Sequence, residues 1–135
     1  IMYTMKQASE ATGFSYETLK YYCNQGLVPG LKRDEGNRRV FDEQDIKGIL
    51  CLKRLRSCGM GIHEIRDFLE LCRRGKSSVP ARKQVLEKKR QELLAQIGEI
   101  EKSIAYIDEK QAYYDRVMSG EREDSCSLVT PEEET

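Results

Sequence analysis

The amino-acid sequence predicts a mainly α-helical fold, with a helix-turn-helix and a basic hairpin in front and one long helix behind. Two short helical stretches within 4–26 are separated by a glycine turn, which is the helix-turn-helix pattern. The segment 28–41 has turn residues between two short extended runs and carries four cations. From Pro80 to residue 118 there is no second proline, and apolar residues recur every three or four positions. The front has a shape that can meet a nucleic-acid duplex.

The first helix is predicted to begin after Thr4, a residue type that caps helix N-termini. Met5, Ala8 and Ala11 would share its buried face. Gly13 can adopt the left-handed conformation that turns the chain sharply at the end of this helix.

The second helix is predicted to begin after Ser15 and to stop at Gly26. Leu19 and Tyr22 fall on the side that would face the core. The residues expected to project outward, as donors to phosphate or base edges, are Tyr16, Thr18, Lys20 and Tyr21.

The hairpin is predicted to enter at Val28-Pro29 and to return at 38–41, with positive-φ turn positions within 34–37. Its four cations suit the phosphate ridge beside a DNA groove. These cations are Lys32, Arg33, Arg38 and Arg39.

Two supporting helices are predicted next. The third helix begins at Asp42, and its apolar face comprises Ile46, Ile49, Leu50, Leu52 and Leu55. Gly59 and Gly61 break the chain on either side of Met60. The fourth helix carries Ile62, Ile65, Phe68, Leu69 and Cys72 at helical spacing.

The long helix is predicted to begin at Pro80, after a polar break at 75–78 and a non-helical Val79. It would be about 58 Å long, which is too long to pack wholly against a small head. The apolar stripe along one side of this helix therefore needs a partner, and a second copy of the chain is the simplest one. The alternative is a helix folded back on its own head. The stripe, apolar except at two positions, comprises Leu86, Arg90, Leu93, Ile97, Ile100, Ile104, Ile107, Gln111, Tyr114 and Met118.

The formal net charge is zero, but the charge is unevenly distributed. Residues 1–76 hold 14 Lys and Arg against 10 Asp and Glu, whereas residues 121–135 hold 1 against 6. A basic front is compatible with a polyanionic partner, and 119–135 reads as an acidic flexible tail. No apolar run reaches the roughly 18 residues of a membrane span and no signal peptide is evident, so we expect a cytoplasmic protein.

Three ordered segments of the chain resemble the MerR family of bacterial transcription regulators. They are "TLKYY" with the following "GLVP", the wing "RRVF", and "LRSCGMGIHEIRDFL". The resemblance covers nearly all of residues 3–118. It implies a winged helix-turn-helix head at 3–75, a dimerisation helix at 79–118 that forms an antiparallel coiled coil, and the tail at 119–135.

The resemblance also implies a function in the bacterial nucleoid. Such a homodimer would bind a dyad in an over-long promoter spacer and distort that DNA, so that RNA polymerase can read both promoter elements. Lys20 falls where the family usually has a recognition-helix Arg, Tyr21 on a phosphate-contacting Tyr, Arg39 on the wing Arg and Phe41 on a wing aromatic. The expected DNA-binding residues are Thr4, Ser15, Tyr16, Thr18, Lys20, Tyr21, Arg38, Arg39 and Phe41.

The signal that such a protein would answer is not apparent from the sequence. Residues 83–120 contain no cysteine, which departs from the metal-sensing and iron-sulfur members of the family. The chain looks closest to short members that answer aldehyde or oxidative stress, with Arg54 at their usual cysteine position. Cys58 and Cys51 are therefore the candidate sensor thiols, and we expect no metal or other cofactor.

Two other functional classes remain open at this stage. The head could serve an architectural, excisionase-like DNA-binding protein, and the long helix a coiled-coil interaction protein. An enzyme is not expected, because His63 is the only histidine and has no catalytic partner at a recognisable spacing.

Overall fold

The computed structural model describes residues 1–132, and within them the chain is mainly α-helical with one small sheet, as predicted. None of the described helices is long and apolar enough to cross a bilayer. The chain divides into two compact units, residues 1–91 and the residues from 92 onward. The elements are β1 Tyr3–Thr4, α1 Met5–Thr12, α2 Tyr16–Asn24, β2 Lys32–Arg33, β3 Arg39–Phe41, α3 Glu43–Ser57, α4 Ile62–Arg73 and α5 Val79–Met118.

Local capping produces the helix-turn-helix much as the sequence indicates. The Thr4 hydroxyl accepts from the backbone N–H of Gln7, whose side chain accepts from Thr4 N, so a capping box starts α1. Thr12, and not the predicted Ala11, completes the buried face of α1. Its hydroxyl donates to the Ala8 carbonyl at 2.8 Å, which allows a polar side chain to be buried there.

The backbone conformation at residue 13 favours glycine, and a side chain there would displace the ammonium of Lys53. Its φ of 78° lies in the left-handed region, and a Cβ there would stand 2.5 Å from Nζ of Lys53. That ammonium donates to the Thr12 carbonyl at 2.9 Å and so satisfies an acceptor at the end of α1. The turn between α1 and α2 is therefore held by a cation from α3.

The predicted hairpin is present, and a third strand joins it. The strand order is β1-β3-β2, with both pairs antiparallel, so the first residues of the chain complete the sheet. Of the turn residues only Asn37 has a positive φ, at 60°, and Gly36 does not. We call β2, β3 and their turn, residues 32–41, the wing.

The first core cluster joins α1, α2, β3 and α3. Leu19, Phe41 and Ile49 are at most 1% exposed, and burying each large apolar side chain contributes roughly 1.5–3 kcal/mol. Leu50, predicted on the buried face of α3, is exposed. The cluster comprises Met5, Ala8, Leu19, Val28, Phe41, Ile46 and Ile49.

A second core cluster joins the end of α2 to α3 and α4. Met60 is 1% exposed between Gly59 and Gly61, so the break between the two helices contributes a core residue. Phe14 packs against both clusters. The second cluster comprises Tyr22, Leu27, Leu52, Met60 and Ile65.

The start of α5 differs from the prediction. Residues 75–78 form a 3-10 turn that leads directly into α5, and Val79 is helical although it precedes Pro80. The buried Ser78 hydroxyl accepts from Nε of Arg82 at 2.9 Å, and Arg82 also donates to the Gly75 carbonyl. These bonds hold the helical turn at Val79 against the steric preference of a residue before proline.

The second unit contains the outer part of α5 and the chain that follows it. The seam side chains Ile97, Ile100, Ile104 and Ile107 are 51–59% exposed in the single chain. Beyond Met118 the described chain turns back along α5. There the Tyr113 hydroxyl donates to the Glu123 carbonyl and accepts from Ser125 N, while residues 133–135 of the predicted tail lie outside the described residues.

Asp42 gives the fold a pH-dependent contact. Its carboxylate accepts from Asp45 N at 2.8 Å as the N-cap of α3 and from Lys32 Nζ at 2.8 Å. The bond with Lys32 contributes most to lowering the Asp42 pKa from 3.8 to about 2. Because the folded-state pKa is lowered, this stabilisation is present above pH about 4 and is lost as the pH falls towards about 2.

We therefore predict a pH-dependent cost for Asp42→Asn, which keeps the capping oxygen and removes the charge. The variant should be less stable than the parent near pH 6, and the difference should shrink towards pH 2. Urea-denaturation midpoints of both proteins across this range measure it. A difference that stays constant over the whole range would contradict the assignment.

Candidate nucleic-acid interface

The outer face of α2 is exposed and carries one cation. Tyr16 and Tyr21 are 49% and 50% exposed, and Lys20 is exposed between them on the same helix. Lys20 forms no hydrogen bond or ion pair within the described part of the chain. This face has the outward residues that the sequence predicted, and it offers an ammonium and two phenol groups to a ligand.

Three of the predicted DNA-contacting hydroxyls are engaged in helix capping. The Thr4 hydroxyl caps α1, and the Ser15 hydroxyl accepts from Thr18 N at 3.2 Å while donating to the Thr18 hydroxyl at 2.9 Å. Thr18 thereby accepts a bond and keeps its own hydrogen for another acceptor. The Thr4 hydroxyl likewise only accepts, so Thr4 and Thr18 keep a hydroxyl hydrogen for phosphate, whereas that of Ser15 is used within the chain.

The inner face of α2 is fixed by aromatic packing and by an arginine. The Tyr22 ring is buried and meets Phe14 edge to face, with ring centroids 5.2 Å apart. Arg56 of α3 donates to the Tyr22 hydroxyl at 3.2 Å and to the Met60 carbonyl at 2.8 Å. Because both the ring and the hydroxyl of Tyr22 are held, the inner face of α2 is fixed. The outer face of the helix therefore has a defined orientation.

The C-terminal end of α2 is held by another arginine. Arg66 of α4 donates to the Gln25 carbonyl at 3.1 Å and to its side-chain oxygen at 2.7 Å. A cation is favourable there, since the last carbonyls of a helix carry partial negative charge. Neither Arg56 nor Arg66 was singled out from the sequence, because each contacts a residue more than 30 positions away.

Lys32 corrects the expectation of four phosphate-facing cations on the wing. Its ammonium lies 2.8 Å from the Asp42 carboxylate and 3.4 Å from that of Asp45. The hydrogen bond to Asp42 contributes most to raising the pKa of Lys32, and the carboxylate of Asp45 acts in the same direction. Lys32 is therefore an internal tie between β2 and the start of α3.

The three wing arginines have no such partner. Arg33 and Arg39 lie directly opposite each other on β2 and β3, an arrangement in which like charges repel. Arg33 donates to the Asn37 carbonyl at 2.8 Å and Arg39 to the side-chain oxygen of Asn24 at 2.6 Å. Among the residues that the structure describes, no carboxylate lies within ion-pair distance of either, or of Arg38.

The Arg39 side chain also contains a buried N–H donor that has no acceptor among the described residues. Its Nε is inaccessible and has no hydrogen-bond partner within the described residues, which costs roughly 1–3 kcal/mol. Another nitrogen of the same guanidinium, Nη2, donates to the side-chain oxygen of Asn24, the last residue of α2. This link between α2 and the wing was not predicted from the sequence.

Phe41 was predicted to contact DNA, and the structure corrects this. Its side chain is 0% exposed and packs in the first core cluster with Leu19 and Ile49. A ring that is fully enclosed by the head cannot reach a duplex. Phe41 instead anchors the returning strand of the wing.

The candidate sensor thiols differ in their surroundings. Cys51 is exposed on α3 and lines an apolar cavity of about 280 Å³ between α3 and α4, together with Cys72. Cys58 is exposed and is the C-cap of α3, one residue beyond the end of the helix.

Two other cysteines have shifted pKa values. Burial raises the pKa of the Cys23 thiol, although Arg39 and Arg33 act in the opposite direction. Backbone hydrogen bonds from Leu128 and Val129 lower the pKa of Cys126, with a smaller contribution from nearby Lys110.

A winged helix-turn-helix with an exposed, cation-bearing second helix is the architecture of a DNA-binding protein. The chain belongs to the MerR family: the family models described as "MerR HTH family regulatory protein" and "MerR, DNA binding" match residues 3–72 and 49–110. It is a MerR-family DNA-binding transcriptional regulator, which confirms the resemblance seen in the sequence.

Several relatives share most of the chain. It is 30% identical over 117 residues to an uncharacterized HTH-type transcriptional regulator of Haemophilus influenzae, covering 87% of each chain. It is 36% identical over 88 residues to the regulator AdhR of Bacillus subtilis, covering 65% of this chain and 63% of that protein.

Two solved structures are similar over nearly the same extent. A putative MerR regulator from Listeria monocytogenes has a TM-score of 0.73 and 33% identity, covering 87% of this chain and 89% of that one. HiNmlR, a family regulator lacking the sensor domain and solved bound to promoter DNA, has a TM-score of 0.70 and 28% identity. That match covers 88% of this chain and 94% of HiNmlR.

The cysteine environments predict an order of reactivity. Because its pKa is lowered, Cys126 should be alkylated by iodoacetamide at a lower pH than Cys23, whose pKa is raised by burial. Peptide mapping by mass spectrometry across a pH series measures both rates. The same series in urea is the control, since unfolding should bring the two profiles together. Faster labelling of Cys23 in the native protein would contradict these environments.

Proposed function

We propose that two copies of this chain pair through α5 and that their heads bind the two halves of a DNA dyad within a promoter. The observation that carries the proposal is the exposed outer face of α2, where Lys20 lacks a partner in the described chain. Beside it stands a wing whose arginines have no carboxylate partner among the described residues. The likeness to HiNmlR, which was solved on promoter DNA, supports the same use of the head.

Each side chain would have a distinct role. Lys20 would reach a base edge or a phosphate in the major groove, while Tyr16, Thr18 and Tyr21 would donate hydrogen bonds to backbone oxygens. Arg38 and Arg39 would lie along the phosphates beside the groove, where the repulsion within the wing is relieved by the polyanion.

The exposed seam of α5 supports the pairing of two copies. Its isoleucines are half exposed in the single chain, and a regular apolar stripe of this length is stabilised when a second helix covers it. The other members of the proposed interface are Leu86, Leu93, Tyr114 and Met118. An antiparallel coiled coil would hold two heads at a fixed separation and so set the spacing of the half-sites.

Transcriptional control would follow from DNA distortion. With both heads bound at a fixed separation, a change in the dimer would bend or untwist the spacer between them, so that RNA polymerase is affected through the DNA alone. The protein would act in the bacterial cytoplasm, on the nucleoid. Its signal is unidentified, and an aldehyde or oxidative signal received by Cys51 or Cys58 is the hypothesis that the family resemblance favours.

Two other functions use the same elements in different ways. An excisionase-like architectural protein would bind within a recombination site and not between promoter elements, so a genomic footprint distinguishes it. A coiled-coil interaction protein would show no salt-dependent binding to duplex DNA, whereas the proposed regulator should lose affinity steeply as salt rises.

We predict that Lys20→Ala weakens binding to a selected duplex by about 1–3 kcal/mol and reduces the preference for it over random sequence. Selection from a randomised duplex library supplies the preferred sequence, and fluorescence anisotropy measures both affinities. Lys102→Ala removes the same charge from the exposed side of α5 and should change neither affinity. Unaltered binding by the Lys20 variant would exclude the proposed docking of α2.

The seam makes a separate prediction about assembly. Ile100→Asp and Ile104→Asp would each bury an unpaired charge in the coiled coil, so the dimer should dissociate at concentrations where the parent protein stays paired. Sedimentation velocity measures the mass of the species in solution.

Lys102→Asp is the matched control for this experiment. It places an aspartate two residues from Ile100, on the opposite side of the helix, and should leave the dimer intact. Dimers that persist in both isoleucine variants would show that α5 pairs through another face or not at all.

A further inference from the structure

The contact between Asn24 and Arg39 joins the two parts of the head that the proposed function brings to DNA. Asn24 is the last residue of α2, and Arg39 is the first residue of β3 in the wing. Nη2 of Arg39 donates to the Asn24 side-chain oxygen at 2.6 Å, across 15 residues of sequence. Among the described residues this is the one hydrogen bond of the Arg39 guanidinium, and it sets where that group lies.

Without Asn24, little would keep the guanidinium in this position. Arg33 stands directly opposite on β2 and repels it, and the Arg39 Nε is buried without an acceptor. Both conditions favour movement of the side chain away from the wing surface. The amide oxygen of Asn24 therefore holds the Arg39 guanidinium in a position that the charge of Arg33 and the burial of Nε both disfavour.

The chemistry of the acceptor suits a cation that must keep its charge. A carboxylate at position 24 would hold Arg39 but would also neutralise it, as Asp42 and Asp45 do for Lys32. A neutral amide orients one edge of the planar guanidinium and leaves the positive charge for a phosphate. The carbonyls at the C-terminal end of α2 add a field that favours a cation at the same place.

We propose that Asn24 is a positioning residue for DNA binding: it fixes the guanidinium of Arg39 relative to the recognition helix, so that Arg39 meets a phosphate without first being ordered. The inference rests on the proposed DNA docking of the head. Ordering a long side chain on binding carries an entropic cost. The hydrogen bond to Asn24 already orders the Arg39 side chain in the free protein, so this cost is smaller when DNA binds.

The experiment is a double-mutant cycle on DNA affinity. The probe is a labelled mixed-sequence duplex of about three helical turns at low salt, because a phosphate contact acts on all sequences alike. Asn24→Ala should weaken binding about three- to tenfold in the parent protein. In the Arg39→Ala background the same change should have no effect, because the group that Asn24 orients is gone.

Arg38→Ala provides the matched background. Arg38 neighbours Arg39 on the wing and forms no hydrogen bond with Asn24, so Asn24→Ala should weaken binding by the same factor there as in the parent. Asn24 is exposed and alanine favours helix, so the melting temperature should be nearly unchanged in each variant. This separates positioning from a general loss of structure.

The outcomes distinguish this inference from the function on which it rests. A parent protein whose binding to the duplex does not weaken with salt, or an Arg39→Ala variant of full affinity, would overturn the proposed docking as well. If Arg39→Ala weakens binding but Asn24→Ala does not, only the positioning role is overturned. An equal loss from Asn24→Ala in the Arg39→Ala background would overturn it too, because Asn24 would then act independently.

Discussion

The head depends on how the carbonyl ends of its two short helices are held. A helix of eight or nine residues has little stability of its own, and its last carbonyls need donors. Lys53 supplies a donor at the end of α1, and Arg66 supplies one at the end of α2. Both cations come from the supporting helices, so α3 and α4 hold the ends of α1 and α2 as well as covering the core.

This arrangement divides the basic charge of the head into two groups. Lys32, Lys53, Arg56 and Arg66 are engaged with internal acceptors, and they tie elements together. Four others, Lys20, Arg33, Arg38 and Arg39, lie on α2 and the wing and have no carboxylate partner among the described residues. The number of basic residues alone therefore overstates the number of phosphate contacts that the head can make, and the position of each cation decides its use.

Strand β3 carries both a core side chain, Phe41, and a cation proposed to contact DNA, Arg39. The ring of Phe41 fills the first core cluster, while Arg39 two residues earlier is held at the surface by Asn24. Alternate residues of a strand point to the same face, but the two side chains have different partners: Phe41 packs in the core, whereas Arg39 donates to Asn24 of α2. The strand thus connects the core directly to the cations that the proposed docking uses.

Short-range signals in the sequence determined much of this protein. The caps at Thr4, Ser15 and Asp42, the turn at Gly13 and the heptad stripe of α5 all follow from residues within a few positions of one another, and the family resemblance supplied their arrangement. Tertiary structure decided the rest: the pairing of β1 with β3, the helical Val79, the burial of Phe41 and the ion pairs of Lys32. The bonds of Arg39 to Asn24 and of Arg66 to Gln25 belong to this second group, since they span 15 and 41 residues. Local patterns record which residues favour a helix or a turn, but the partner of a long cationic side chain is chosen only when the packed elements bring an acceptor within its reach.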